Sequence, residues 1–265
     1  MAVVSAIGAG QMAQAIFQGI VSSGALKAEE LGFFDPHPQE ALAQKGYAAF
    51  DSIQALCQGS QYLLLSVKPQ IAPQVLEELK AYFDPRRHLL LSIAAGISED
   101  FLRGYLGAEA RLILVMPNTP ILVGQGATAM ARCAPTTREE FDFAMSLFSG
   151  AGMVREIPKD QLNQVIAVSG STPAYLYLIS KIFCDYAARQ GIDFDTANTL
   201  FAQTMTGAAA MLTQTGMSHQ QLMDMVTSPG GTTRAGLDTL EAQGLRQVLE
   251  SCCDATIRRA YELGR

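Results

Sequence analysis

Two short segments, one near each end of the chain, carry residue types that can hold a small anion without a charged side chain. Near the start, Gly8-Ala9-Gly10-Gln11-Met12-Ala13 has the spacing G-x-G-x-x-G/A, with Ala13 in the third place. The first glycine of such a pattern permits a tight turn, and the second lets the backbone approach a pyrophosphate. A small third residue lets the following helix pack on the preceding strand. The helix start then offers unpaired N–H groups and a positive dipole end to phosphates. Near the end, Thr227-Ser228-Pro229-Gly230-Gly231-Thr232-Thr233 sets a Pro-Gly-Gly turn before a new helix. Successive N–H groups at that start accept a carboxylate without any arginine, and the Thr233 hydroxyl projects toward a substrate heteroatom. From spacing alone, an N-capped turn between helices is the better reading of this second segment.

Weaker candidates lie between these two. Asp35 closes the run Phe33-Phe34-Asp35-Pro36-His37. An acidic residue there accepts a ribose 2′-OH and repels a 2′-phosphate, which favours NAD over NADP; it is also an ordinary turn residue before Pro36. No arginine lies close in sequence, and His37 and Lys45 are the groups that could assist a phosphate. Leu65-Ser66-Val67-Lys68-Pro69 ends another apolar run, and Lys68 is equally a phosphate contact or a solvated lysine. Ser92-Ile93-Ala94-Ala95-Gly96 and Met116-Pro117-Asn118-Thr119-Pro120 end two more. Their small residues leave room for a flat nicotinamide ring, and Asn118 has an amide able to bond it; turn chemistry explains each equally well. His37, His88 and His219 are scattered without metal-ligand spacing, so no metal is expected.

The elements that must position these residues follow from periodicity. Val3–Ile7, Leu31–Phe34, Tyr62–Val67, Leu89–Ile93 and Leu112–Met116 read as buried strands, short and rich in Leu, Ile and Val. Amphipathic stretches such as Gln11–Ser23 and Ala72–Tyr82 alternate with them. This rhythm predicts an α/β domain with a parallel, doubly wound sheet and helices on both faces. The 125–131 and 152–156 segments extend the sheet, and Thr136-Thr137-Arg138-Glu139 opens a helix between them. From Asp160 onward only helices are expected, over roughly 161–190, 194–215, 218–227, 231–242 and 244–263, with breaks at Gly191, Gly216, Pro229-Gly230-Gly231 and Gly244. The boundary therefore falls near 158, giving a dinucleotide-binding domain over 1–158 and an all-α domain over 159–265. The second is so rich in small and apolar residues that it is expected to be buried in an oligomer.

Composition narrows the classes further. The chain has 265 residues, 49% hydrophobic and 17% charged, enough to bury a sizeable core. A net charge of -6 argues against nucleic acid or an anionic membrane as a partner. Five cysteines without a C-x-x-C pair suit a reducing cytoplasm. The N-terminus lacks the basic region of a signal peptide, and no apolar run is long enough to span a bilayer.

Taken in order, Ile7–Met12, Val67-Lys68-Pro69, Ala94-Ala95-Gly96, Asn118-Thr119-Pro120, Ser169-Gly170-Ser171-Thr172-Pro173-Ala174-Tyr175 and Ser228-Pro229-Gly230-Gly231-Thr232-Thr233 resemble pyrroline-5-carboxylate reductase over nearly the whole chain. The resemblance implies a Rossmann domain followed by a helical domain that interlocks with a second copy in a homodimer, and such dimers commonly assemble as a pentamer of dimers. It implies reduction of 1-pyrroline-5-carboxylate to L-proline with NADPH, or with NADH. By matching position, Val226, Ser228, Gly231, Thr232 and Thr233 would surround the substrate, with Thr233 the catalytic residue. Ile7, Gly8, Ala9, Gly10, Gln11, Met12, Asp35, His37, Ser66, Val67, Lys68, Pro69, Ile93, Ala94 and Ala95 would contact the dinucleotide. Two positions depart from the pattern: Thr172 stands for a usual glycine, and Asp51 or Ser52 falls where many members have asparagine.

Two other readings compete. A β-hydroxyacid dehydrogenase joins the same two kinds of domain but uses a lysine early in the long helix; Ser169–Leu178 has none, and Lys181 falls later. A non-catalytic dinucleotide-binding protein would bind the cofactor without turning it over.

Overall fold

A computed structural model describes residues 2–263. The chain forms two compact units, one running to Ser171 and joined by the chain's end from Ala255, the other spanning Thr172–Asp254. The first is built on eight strands: β1 (Val4–Ile7), β2 (Leu31–Phe34), β3 (Ala48–Ala49), β4 (Tyr62–Leu65), β5 (Leu89–Ser92), β6 (Arg111–Met116), β7 (Gly126–Cys133) and β8 (Gly152–Glu156). Their order in the sheet is β3-β2-β1-β4-β5-β6-β7-β8, so the winding reverses between β1 and β4. That reversal leaves a crevice at the strands' carboxyl ends, where open α/β sheets bind ligands.

The continuous apolar runs are explained by burial on both faces. Along β5, Leu89 and Leu91 join the core on one side while Leu90 joins the other. Each such leucine contributes roughly 1.5–3 kcal/mol relative to exposure. Helices α1 (Gln11–Ser22) and α6 (Arg138–Ser149) cover the first face through Phe17, Phe141 and Phe148. The short α2 (Glu40–Gln44) adds Leu42 there. The second face is covered by α3 (Ile53–Gly59), α4 (Ala72–Leu79) and α5 (Glu99–Leu106) through Leu56, Leu76 and Leu102. The expected start of α6 is present, with Thr137 and Glu140 forming a capping box.

Three expectations need correction. The sheet is not wholly parallel, because β7 runs antiparallel to β6. The short strand β3 was not foreseen; two alanines give no periodic signal. The single helix expected over 161–190 is three pieces: α7 (Leu162–Val165), a π-helical turn (Ile166–Gly170) and α8 (Thr172–Arg189). At the joint the Ser171 N–H donates to the Ile166 carbonyl, five residues back. Thr172 opens α8 immediately after this wide turn.

His88 locks the amino edge of the sheet. Its Nδ1 accepts the Asp84 N–H at 2.9 Å, and its Nε2 lies 2.9 Å from the Cys57 carbonyl. Burial holds the imidazole below the ordinary histidine value of 6.5. The unfolded chain therefore takes up a proton that the folded chain resists, and stability is lost as pH falls below about 6.5. Unfolding midpoints measured from pH 7.5 to 5 should decline in the wild type and decline less in His88→Gln; parallel profiles would contradict this.

The second unit comprises α8, α9 (Phe194–Gln214), α10 (His219–Met225), α11 (Thr232–Ala242) and most of α12 (Leu245–Leu263). Phe183 stacks on Phe201 at 4.8 Å between α8 and α9. Within these two helices only Pro173, Cys184 and Ala197 are buried in the single chain, while Tyr177, Leu178, Ile182, Phe183 and Leu200 are each more than half exposed. An apolar face of this extent marks an interface between chains. Among the described residues no helix is long and apolar enough to cross a membrane.

Candidate active site

At the sheet's reversal, β1 runs into the Gly8–Gly10 turn. Gly8 has φ +91°, and its N–H donates to the Phe34 carbonyl at 2.8 Å. A Cβ placed there would lie 2.6 Å from the Ser66 carbonyl oxygen and 2.8 Å from Val67 Cγ1. The turn is thus pressed against the segment leaving β4, which ends at Leu65, two residues before the expected limit. Gly10 differs: it begins α1 in extended backbone, and a Cβ there would meet nothing within 4 Å. The fold itself does not require that glycine. What its missing side chain keeps open is the space before the first N–H groups of α1, which have no intrahelical acceptor and no side-chain cap. Those residues fit the pyrophosphate of a dinucleotide.

Asp35 is tied into this turn. One carboxylate oxygen accepts the Ala9 N–H at 2.8 Å and the other the His37 N–H at 2.9 Å. Gln14 braces the same loop, with Nε2 donating to the Ala9 carbonyl at 2.8 Å. Neither link was legible in the sequence reading. Ser66, Val67, Lys68 and Pro69 follow β4 at the same carboxyl edge, and Ile93, Ala94 and Ala95 follow β5. The turn after β5 is anchored through Glu99 at the start of α5, which accepts from Lys159 at 2.6 Å and Arg103 at 2.9 Å. Burial opposes ionisation of Glu99, but these two cations outweigh it and hold the carboxyl below its usual range.

Asn118 is engaged at both ends of its amide. Its Oδ1 accepts the Ala127 N–H at 2.8 Å, and its Nδ2 donates to the Ser169 carbonyl at 3.1 Å. The side chain thereby ties the segment after β6 to β7 and to the π-helical turn. Ser52 is likewise occupied, capping α3 through the Ala55 N–H and donating to Asp51. Burial pushes the Cys57 and Cys133 thiols up to about 12, so neither is a nucleophile at neutral pH.

In the second unit, α10 ends at Met225 and the chain turns through Val226–Gly231 into α11. Gly230 has φ +69°, and the Gly231 N–H closes the turn on the Ser228 carbonyl at 2.9 Å. The donors at this helix start therefore begin at Thr232. No side chain caps α11, in contrast to α3, α5, α6, α9 and α10. Thr232 and Thr233 are exposed in the single chain, and Arg234 is paired along its own helix with Asp238, Nε to Oδ1 2.8 Å. Beside the turn, Met211, Leu212, His219, Leu222, Met225 and Val226 help line an apolar cavity of about 370 Å³. The hollow joins residues of separate helices and has no signal in the sequence beyond the helical spacing of Leu222, Met225 and Val226.

A doubly wound sheet with an uncapped glycine turn at its reversal is the architecture of a dinucleotide-binding protein. Residues 159–263 match the family model described as pyrroline-5-carboxylate reductase dimerisation, and residues 3–96 match NADP oxidoreductase, coenzyme F420-dependent. A pyrroline-5-carboxylate reductase of Pisum sativum is 37% identical, covering 97% of this chain and 94% of its own. One of Methanosarcina acetivorans is 34% identical, covering 98% and 97%. The crystal structure of Plasmodium falciparum pyrroline carboxylate reductase with NADP bound aligns with a TM-score of 0.90 at 28% identity, covering 100% of this chain and 98% of that one. The chain belongs to the pyrroline-5-carboxylate reductase family and is an NAD(P)H-dependent oxidoreductase that converts pyrroline-5-carboxylate to proline.

Proposed function

We propose that the two helices opening behind an uncapped glycine divide the work of this reaction between them. The α1 start, with Ile7–Met12, Asp35, His37, Ser66–Pro69 and Ile93–Ala95, holds the dinucleotide. The α11 start holds the substrate carboxylate on the N–H groups of Thr232 and Thr233, with Val226, Ser228 and Gly231 shaping the turn. Bound NAD(P)H supplies the hydride accepted by the imine carbon. A cyclic imine is basic enough to arrive partly protonated, so the chain needs no strong acid at its nitrogen. Thr233 bonds that nitrogen and orients the ring, and rate comes mainly from alignment. Asn118, with both ends of its amide already bonded, acts by fixing the backbone around it.

The observation that carries this reading is that α1 and α11 each open behind a glycine, which brings no side chain to the helix start. By contrast, α3, α5, α6, α9 and α10 are capped by side chains, and α2, α4 and α7, which also lack a cap, open behind Gln39, Ile71 and Gln161. The reading extends to a dinucleotide domain over 1–158 and a substrate and dimerisation domain over 159–265. It includes a homodimer supported by the exposed apolar face of α8 and α9, and a pentamer of such dimers in the cytoplasm. The test is loss of the nicotinamide absorbance with pyrroline-5-carboxylate, with a 3-oxo acid, and with neither. Loss with the imine alone is expected. Loss only with the 3-oxo acid would move the chain to the β-hydroxyacid dehydrogenases, and cofactor binding without loss would make it non-catalytic.

A further inference from the structure

We propose that Ser92 is a positioning residue for this reaction. Its hydroxyl, unpaired in this structure, accepts the Ala94 N–H once the dinucleotide is bound, and that bond fixes the turn after β5. The inference rests on the dinucleotide reading of the sheet's carboxyl edge and adds a residue which that reading does not use.

Ser92 is the one polar member of a row that crosses the sheet. Register sets Ile7 beside Leu65, Leu65 beside Ser92, Ser92 beside Leu114 and Leu114 beside Ala131. The five side chains share one face and all are buried, Ser92 keeping only 3% of its surface exposed. Its Oγ is enclosed and has no hydrogen-bond partner among the described residues. A buried hydroxyl in that condition costs stability, whereas an apolar group of similar size does not. The fold therefore gains nothing from this oxygen. Ser5, buried within β1, shows the contrast, since its Oγ lies 2.6 Å from that of Ser60.

The missing partner stands two residues on. Ala94 is 8% exposed, and its N–H has no acceptor among the described residues. Serine side chains bond the N–H two residues along their own chain when the local backbone allows it. Here the chain is held on either side of the pair. The Ile93 N–H donates to the Leu65 carbonyl at 3.1 Å, and Ser98 caps α5 through the Phe101 N–H at 3.2 Å. Between these anchors, Ala94–Ile97 is closed by a single bond, from the Ile97 N–H to the Ala94 carbonyl at 3.2 Å, with Gly96 at φ +80°. Gly96 and Ile97 border a cavity of about 210 Å³ whose wall includes Leu114, the neighbour of Ser92 in the row. The turn thus has room to shift. Pairing Ser92 with Ala94 draws it onto the sheet and sets the Ile93–Ala95 backbone in one place against the dinucleotide. Because the Oγ is enclosed, Ser92 acts through this backbone and not by touching the ligand.

Ser92→Ala tests this with NADPH as the probe. Without dinucleotide the variant should melt at or above the wild-type midpoint. Its dissociation constant for NADPH should rise about fivefold, the worth of one neutral hydrogen bond, and kcat should fall at least as much. Amide exchange read by mass spectrometry should show NADPH protecting residues 93–97 in the wild type and not in the variant. Ser92→Thr keeps the hydroxyl and should restore both affinity and protection. A lower midpoint without dinucleotide would give the hydroxyl to the fold and overturn the proposal. Unchanged NADPH affinity, or wild-type protection of 93–97, in Ser92→Ala would overturn it as well, whether or not the threonine variant folds. Failure of the wild type to bind NADPH would sink the dinucleotide reading and this inference with it, an outcome that no change at Ser92 can imitate.

Discussion

Adding one methyl group at Gly8 is expected to damage both the fold and cofactor binding, while the same addition at Gly10 should damage binding alone. At Gly8 the backbone sits at φ +91°, where an L side chain is strained, and its Cβ would collide with the Ser66 carbonyl and Val67. The left-handed conformation and the overlap together cost about 3 kcal/mol, the sum of a strained backbone and overpacking. For a chain of this size that lowers the thermal midpoint by roughly 6–12 °C. The strand separation needed to relieve the clash also moves the turn that meets the pyrophosphate, so affinity should fall at least a hundredfold. At Gly10 the backbone is extended and a Cβ meets nothing within 4 Å. Gly10→Ala should therefore shift stability by less than about 1 kcal/mol. Its methyl occupies the space before the α1 N–H groups, so dinucleotide affinity should drop at least tenfold. Thermal melts and fluorescence titrations on the two variants give four numbers. Unchanged affinity in Gly10→Ala would remove the pyrophosphate from this turn.

Thr233→Ala should lower kcat on the order of a hundredfold, the low end for a group that bonds the reacting atom. Dinucleotide affinity should stay within about twofold, because nothing in the α1 turn depends on this side chain. Thr233→Ser keeps the hydroxyl and should recover most of the rate. The variant is a clean probe of chemistry, since Thr233 is exposed near the start of α11 and alanine is a better helix former. Equal kcat in the alanine variant and the wild type would refute the assigned role. A rise in KM with kcat intact would instead mean that Thr233 only holds the substrate.

The parts of this molecule legible in its sequence are those with short-range causes. Leucine runs bounded by turns located β4, β5 and β6, and the glycine spacing located the start of α1. The reversal of β7 had a local cause as well: residues 117–125 are too few for the dozen-residue crossover that a parallel return needs. Proline at 173 similarly marks a helix start that periodicity alone smoothed over. Other features had no local signal. The Asp35 bond to Ala9 joins residues 26 apart, and the Asn118 bond to Ser169 joins residues 51 apart. Such pairs meet only once strand order is set, so an aspartate legible as a ribose ligand proved to be a brace for the phosphate loop as well. The late loop gave the reverse lesson: its helix start was readable, but the use of the Gly231 N–H to close the turn was not.

The bare apolar face of α8 and α9 has a consequence beyond contact between chains. A unit that buries almost nothing by itself gains its stability from association, so its folding obeys mass action. Dilution then acts on it as a denaturant does, and the fraction of competent enzyme becomes a function of how much of the protein a cell makes.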